Sequence, residues 1–308
     1  MFLVWSTLAR AGQLELDVRA ADFDLSAETE RSISRLLTRM HATYESWLGV
    51  VLPPLLPVHV ELVSKEADYR AREAAVMGGL RGHTVGFFVP ARSQVVVWRG
   101  PGEADMRRTL VHETSHFLLS SAGLGRVPLW LNEGLSEVFE TSTLDGNAVW
   151  LIPDPNLVRW LGGGNLPAAS TLLGWSRQDW DRAAAGSPWG RAEYPYGWAV
   201  CAFLLSSEGG RALLGELLAS TAVSADPAAD ALAAVERKYD GGAPALDRTF
   251  RAWFAAGPGR IQLPLRNDAG QAGGWVKCAD GSLIRPDAGY RCGRWVKGDD
   301  GLMRYVED

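Results

Sequence analysis

The sequence predicts an α+β protein in which a sheet-containing lobe precedes a helical lobe. Three observations support this prediction. Over residues 13–100, patterns typical of strands alternate with patterns typical of amphipathic helices. Helical spacing dominates residues 101–260. After residue 261, Asp-Gly turns lie between short apolar segments. We therefore expect one domain over 13–260, with an N-terminal α/β lobe containing a mixed sheet and a mostly helical C-terminal lobe. A linker and a small β-hairpin tail are expected over 261–308.

The first lobe is expected to begin with a strand, a helix and a second strand. Residues 14–18 and 57–63 alternate between apolar and polar types, as strands do. Ser26 is a suitable N-cap for an amphipathic helix over 28–47. His41 lies off the apolar stripe of that helix, so we expect it at the surface.

Hairpins are predicted in two parts of the chain, one in the first lobe and one near the C-terminus. A short helix over 65–77 should lead into a hairpin formed by 85–89 and 94–98, which are joined by a Pro-containing turn. Near the C-terminus, residues 275–283 and 295–302 form an approximate repeat, and each copy has an Asp-Gly turn. Two such units bury little core, so the repeat predicts a small appendage.

Composition narrows the classes of function. The chain has 308 residues, of which 47% are hydrophobic and 22% charged, which is ordinary for a globular protein. A net charge of −5 gives no indication of nucleic-acid binding. The longest apolar run, over 196–205, is about half the length that a membrane-spanning helix needs, so no transmembrane segment is expected.

The cellular compartment stays open. Residues 1–12 resemble part of a signal peptide but lack a basic start, so they are either a signal remnant or a first strand. Cys201 lies in an apolar helical run and is expected to be a buried thiol. Cys278 and Cys292 are either a disulfide or two unrelated thiols. A disulfide would favour a periplasmic or secreted protein over a cytoplasmic one.

The most informative motif is His112-Glu113-Thr114-Ser115-His116, which has the form H-E-x-x-H. On a helix, predicted here over 105–121, the two histidines lie four residues apart on one face and can bind one zinc ion (Zn²⁺). Glu113 would stand beside the ion as general base. Apolar residues flank the motif on both sides, and a buried helix rarely carries such polar groups unless they are paired or bind metal.

A catalytic zinc site needs a third protein ligand and a fourth position for water. Two carboxylates on the next predicted helix, 129–142, compete for that role, because Glu133 and Glu137 lie one turn apart on one face. We favour Glu133 as the ligand. Glu137 is then expected to accept the N–H of a ligand histidine, or to be an ordinary exposed glutamate.

A hydrolase also needs a hydrogen-bond donor for the oxyanion that develops during the reaction. Tyr194 and Tyr196 open an apolar helix in the second lobe, and either could serve. Both are equally compatible with an ordinary core or surface position.

The two motifs together, H-E-x-x-H and Trp130-Leu131-x-Glu133-Gly134-Leu135-x-Glu137, resemble the gluzincin metallopeptidases, and most closely the peptidase MA-like group. The resemblance covers roughly residues 13–256. It implies an α/β lobe, a metal helix and a helical lobe, with zinc bound by His112, His116 and Glu133 and with Glu113 as base. It also implies a tyrosine oxyanion donor, favouring Tyr194 over Tyr196, and an edge strand that binds the substrate backbone, either 86–88 or 95–97.

The resemblance is incomplete. The sixteen residues between His116 and Glu133 are fewer than in the aminopeptidase and thermolysin-like branches, and no G-x-M-E-N exopeptidase motif is present. The expected function is a zinc metallopeptidase, a hydrolase acting on a peptide or protein. Two alternatives stay open: a zinc-containing binding protein that uses its cleft and Trp-rich tail to hold a partner, and a non-proteolytic zinc hydrolase. An intact Glu113 argues against the binding protein, which has no need of a base.

Overall fold

The computed structural model describes residues 13–53, 55–78, 84–100, 102–145, 148–186 and 193–264. In the tail it describes four short strand segments, 276–277, 283–284, 293–297 and 303–307. Contacts divide the chain into two units, Met1–Leu263 and Pro264–Asp308. The possible signal remnant at 1–12 lies outside the described residues, as do Cys278 and Cys292.

The first unit begins with the mixed sheet that the sequence predicts. Its strands are β1 (Gln13–Ala21), β2 (Leu55–Val63), β3 (Gly86–Val89) and β4 (Gln94–Trp98). The spatial order is β1-β2-β4-β3, in which β1, β2 and β4 are parallel and β3 runs antiparallel to β4. The fold is therefore α+β, and β3 is an edge strand beside the predicted hairpin partner.

Helices cover both faces of this sheet. Alternate residues of β2, from Leu56 to Leu62, are buried on one face, and α1 (Ala27–Leu48) contacts the sheet there together with the metal-motif helix. On the other face, Tyr69 of α2 (Glu66–Met77) packs in a small apolar cluster with Val63 and Phe87. The alternation of β2 thus separates two cores.

Helix α1 begins as predicted but corrects one expectation. Ser26 caps it by accepting a hydrogen bond from the backbone N–H of Thr29. His41 is only 3% exposed, so the prediction that it lies at the surface is wrong. Its Nδ1 lies 3.7 Å from a carboxylate oxygen of Glu45, one turn along the helix. The helix is buried over a wider arc than the apolar stripe alone indicates.

The two motif helices follow directly after the sheet. The H-E-x-x-H motif lies on α3 (Glu103–Ser121), and Glu133 lies on α4 (Leu129–Glu140). Within the described residues, seven further α-helices and a short π-helix, Leu161–Asn165, lie in the second lobe. The α-helices are α5 (Pro155–Trp160), α6 (Ala169–Leu173), α7 (Arg177–Gly186), α8 (Glu193–Leu205), α9 (Glu208–Thr221), α10 (Pro227–Lys238) and α11 (Gly242–Ala255).

A small sheet within the helical lobe is absent from the sequence prediction. It contains β5 (Thr143–Asp145), β6 (Ala148–Leu151) and β7 (Ile261–Pro264) in that order. Strand β7 returns from the far end of the lobe, so pairing rather than local propensity creates this sheet. Its residues 261–263 belong to the first unit, whereas the sequence analysis assigns them to the linker.

The described residues of the tail form two antiparallel hairpins. The first joins β8 (Val276–Lys277) to β9 (Leu283–Ile284), and the second joins β10 (Gly293–Lys297) to β11 (Met303–Glu307).

The two hairpins have the same register. Equivalent backbone pairs lie twenty residues apart, which is also the spacing of the Trp-Val-Lys segments in the sequence repeat. The pairs are Val276 with Ile284 and Lys277 with Leu283 in the first hairpin, and Val296 with Arg304 and Lys297 with Met303 in the second. The sequence repeat is thus also a repeat of backbone structure.

Among the described residues, no helix combines the length and apolar character needed to cross a membrane.

Candidate metal centre

Three side chains from α3 and α4 converge at one point. The Oε2 atom of Glu133 lies 3.3 Å from Nε2 of His112 and 3.5 Å from Nε2 of His116. The rings of the two histidines are 4.9 Å apart between centroids and nearly perpendicular. Helical spacing brings the histidines together, and the packing of α4 against α3 adds the carboxylate.

The separations of these atoms fit a tetrahedral metal site. Two ligand atoms that each lie about 2.1 Å from a zinc ion, separated by the tetrahedral angle, are about 3.4 Å apart. Both distances from Glu133 agree with that value. Two imidazoles and a carboxylate are also a donor set that zinc accepts in catalytic sites. The residues therefore fit the ion that the motif predicts.

Close packing of two helices holds Glu133 in place. A Cβ atom on Gly134 would lie 2.5 Å from the carbonyl oxygen of Gly197 in α8 and 2.8 Å from Sγ of Cys201. Because neither glycine has a side chain, the backbones of α4 and α8 approach closely. This contact fixes α4 one residue away from the carboxylate that meets the histidines.

The Nδ1 atoms of the two histidines have different partners. His116 Nδ1 lies 2.7 Å from Oδ1 of Asn132, and His112 Nδ1 lies 3.2 Å from Oε2 of Glu140. Partners of this kind fix the tautomer of a ligand histidine and leave Nε2 free to bind metal. Neither Asn132 nor Glu140 was among the site residues that the sequence motifs predict.

Glu137 does not occupy the position expected for it. Its Oε1 lies 3.7 Å from Nδ1 of His112, beyond hydrogen-bonding distance, and Glu140 takes the hydrogen bond instead. The spacing could have indicated this, because residues 133, 137 and 140 all lie on one face of a helix. Sequence alone cannot decide which turn of α4 lies level with His112.

Glu113 lies on α3 next to the ligands, where it faces strand β3. It is 9% exposed. A Cβ atom on Gly86 of β3 would lie 2.9 Å from Cγ of Glu113 and 2.5 Å from Cγ2 of Thr109. Burial raises the pKa of Glu113, and the nearby histidines partly oppose that shift. A carboxyl group with a raised pKa is suited to accept and release a proton near neutral pH.

The charges of His112, His116 and Glu133 shift one another's pKa values. Burial alone would lower the pKa of His112, but hydrogen bonds to Glu133 and Glu140 outweigh burial and raise that pKa well above its ordinary value. Burial likewise opposes the shift at His116, whose pKa the charge of Glu133 raises. Burial would raise the pKa of Glu133, and the two histidines instead hold it below its ordinary range. The cluster therefore favours a carboxylate with positive partners.

A buried hydrogen bond joins the H-E-x-x-H helix α3 to α1. Ser115 lies within the H-E-x-x-H motif, and its hydroxyl is hydrogen-bonded to the hydroxyl of Tyr44 on α1. Both residues are fully buried. This contact holds α1 against α3 within the motif itself.

The structure resolves the choice between two candidate edge strands. Strand β4 pairs with β2 on one side and β3 on the other, so it has no unpaired edge. Strand β3 pairs with β4 and ends the order of the sheet. Gly86 on this strand faces Glu113, as described above, so the edge strand passes beside the candidate base.

Tyr194 and Tyr196 lie in the first turn of α8 within a group of aromatic rings. The ring of Tyr194 is 5.8 Å from that of Trp180, and Tyr196 lies 5.5 Å from Trp160 and 5.7 Å from Trp175. These ring contacts account for part of the environment of both tyrosines. A hydrogen bond from Tyr194 to a reaction oxyanion stays a prediction.

No model of a known protein family matches this chain, and a search of curated proteins also found no match.

Proposed function

We propose that this protein is a zinc-dependent metallopeptidase of the gluzincin type. One observation carries the proposal: the Nε2 atoms of His112 and His116 both lie within 3.5 Å of one oxygen of Glu133. A second feature supports it, because Glu113 stands beside these ligands and faces an edge strand. The resemblance of the two motifs to gluzincins agrees with this arrangement.

The residues have separate roles in the proposed reaction. Zinc, when bound, supplies Lewis acidity that makes a water more acidic and polarises a peptide carbonyl. His112, His116 and Glu133 would hold the ion and leave one position open. Glu113 would take the proton from the attacking water and deliver it to the leaving amine. Its burial raises its pKa and excludes bulk water from the carboxyl group.

The edge strand would orient the substrate. Among the described strands, β3 is at the edge of its sheet, and an extended peptide can add to such an edge as a further strand. Gly86 carries no side chain where the strand passes Glu113. A peptide bound there would run past the base with its backbone held by hydrogen bonds. The class of substrate that this arrangement favours is an extended peptide or a protein loop.

The test combines metal analysis with peptide cleavage by the whole chain. We expect one zinc per chain, cleavage of a mixed peptide library, loss of cleavage with a chelator and recovery with added zinc. Glu113→Gln should keep zinc and lower the rate by a factor of about 10² to 10⁴. Glu103→Gln is the matched control, because Glu103 lies on the same helix but its Oε1 accepts a hydrogen bond from Thr29 on α1. It should cleave as the unchanged chain does.

The outcomes separate the competing functions. Zinc without cleavage of any library would favour a binding protein that retains the metal. Absence of zinc from protein purified without chelator and supplied with the ion would exclude both the peptidase and the metal-containing binding protein.

A further inference from the structure

We propose that the ion pair between Arg108 and Glu140 positions His112 for metal binding, and that Glu137 does not. This inference rests on the proposed metal site. It assigns a positioning role to two residues that do not themselves touch the ion or the substrate.

One carboxylate bridges two residues of the metal helix. Oε2 of Glu140 lies 3.2 Å from Nδ1 of His112. Oε1 of Glu140 accepts a hydrogen bond of 3.0 Å from Nε of Arg108, whose Nη2 lies 2.9 Å away. Arg108 and His112 are four residues apart on α3 and therefore share a face. Each oxygen of Glu140 thus has its own partner on α3.

A further acidic residue, Asp154, contacts Arg108. Its Nη2 lies 3.5 Å from Oδ2 of Asp154. Asp154 is the N-cap of α5, where its Oδ1 accepts a hydrogen bond of 2.7 Å from the backbone N–H of Asn156. A continuous chain of polar contacts therefore runs from the start of α5 through Arg108 and Glu140 to His112.

Among the described contacts, Glu137 makes no hydrogen bond to His112 or Arg108, although the charges of both residues act on it. Its Oε1 lies 3.7 Å from Nδ1 of His112, too far for a hydrogen bond. The two glutamates have the same side-chain exposure, 18%, so burial does not distinguish them. The hydrogen bond from Nε of Arg108 distinguishes them, because among the described contacts it is made to Glu140, and it fixes the direction of that carboxylate.

The direction of this carboxylate determines which nitrogen of His112 faces the metal. When Nδ1–H donates to Glu140, the lone pair of the ring is on Nε2. That atom is the one that lies 3.3 Å from Oε2 of Glu133. Loss of Glu140 would release the ring and allow the other tautomer. For ligand histidines generally, removal of such a partner lowers metal affinity by about 10- to 100-fold.

The experiment measures zinc affinity of the full chain by competition with a chromophoric chelator. We expect Glu140→Gln to weaken zinc binding by about 10- to 100-fold. Glu137→Gln is the matched control, with the same chemical change one turn away, and should bind zinc nearly as the unchanged chain does. Arg108→Gln should weaken binding in the same direction as Glu140→Gln. The variant with both changes should lose little more than Glu140→Gln alone, because the two residues act as one unit.

Further measurements separate positioning from general destabilisation. Thermal unfolding reports whether each variant folds, and the visible spectrum of the cobalt-substituted protein reports the geometry of the site. Should Glu140→Gln fail to fold, Arg108→Gln tests the same unit.

The proposal is overturned if Glu140→Gln binds zinc as tightly as the unchanged chain, or if Glu137→Gln loses as much affinity. Additive losses for Arg108→Gln and Glu140→Gln would also overturn it. Failure of the unchanged chain to bind zinc is a different result, which removes the metal site itself and this inference with it.

Discussion

Gly86 of the edge strand β3 lies against Glu113 of helix α3, with no room for a side chain between them. A Cβ atom at Gly86 would lie 2.9 Å from Cγ of Glu113 and 2.5 Å from Cγ2 of Thr109. Real Cβ atoms do not approach other atoms so closely, so either the strand or the base would have to move. The glycine is therefore required by the distance between the strand and the candidate base.

Gly86→Ala should reduce peptide cleavage while zinc binding is retained. Displacement of a catalytic group by about 1 Å can cost up to about 100-fold in rate. Cleavage rate and zinc content, measured on the same preparation, check this. The double variant Gly86→Ala with Thr109→Ser removes the Cγ2 contact but keeps the contact with Glu113. Full recovery of activity in that variant would show that Thr109, and not Glu113, causes the defect.

Gly134→Ala should destabilise the whole domain. The added methyl group would meet the backbone of Gly197 at 2.5 Å and Cys201 Sγ at 2.8 Å, and neither helix can move without loss of packing. Overpacking of this kind costs about 1–3 kcal/mol in the free energy of unfolding, and contact with backbone atoms places this variant at the upper end. Urea denaturation measures the change.

Gly209→Ala is the control for that prediction. Gly209 lies in α9 with nothing within 4 Å of an added Cβ. Alanine there should leave stability unchanged or raise it by up to about 1 kcal/mol, because the unfolded chain loses freedom. Equal destabilisation by the two substitutions would contradict the close-packing explanation.

Tyr44→Phe should destabilise the fold by about 1–3 kcal/mol, because it leaves the buried hydroxyl of Ser115 without its partner. Ser115→Ala should cost a similar amount. The double variant removes both polar groups and should be less destabilised than the sum of the single variants. Denaturant unfolding of the four proteins forms a double-mutant cycle, and strictly additive losses would show that the hydrogen bond contributes nothing.

Zinc affinity should fall as the pH is lowered. The pKa values of His112 and His116 are raised in the zinc-free fold, so both rings bind protons that zinc must displace. Below those raised values the affinity should drop about tenfold per pH unit for each proton displaced. Chelator competition between about pH 6 and pH 8.5 measures the slope. A flat profile over that range would contradict the coupling between the histidines and Glu133.

The zinc-free fold should show the opposite trend in stability. A histidine whose pKa is raised by folding stabilises the fold when protonated. For His112 and His116, that contribution is fully present below about pH 6.5, the ordinary pKa of histidine, and is lost as the pH rises through the raised value. The midpoint temperature of thermal unfolding of chelator-treated protein should therefore be higher at about pH 6 than at about pH 8.5. Glu133→Gln removes a negative partner of both histidines and should reduce the trend.

The sequence alone determined the features that depend on local geometry. The spacing of His112 and His116 places both on one face of any helix, and the alternation around Val58 and Val60 of β2 predicts a strand with one buried face. The cap at Ser26 and the hairpin before the metal helix are also local, so their bounds agree closely with the structure.

Tertiary structure decided the features that depend on how separate helices meet. The sequence favours Glu133 as the third ligand and Glu137 as the histidine partner. The level at which α4 lies against α3 brings Glu133 close to Nε2 of both histidines and Glu140, rather than Glu137, within hydrogen-bonding distance of His112. The close contact of Gly134 with Gly197, residues far apart in the chain, fixes α4 against α8. The three-stranded sheet with β7 was missed for the same reason, since its short strands exist through pairing with a distant segment. The periodicity of apolar residues indicates which face of a helix or strand is buried, but it does not indicate which other element packs against that face.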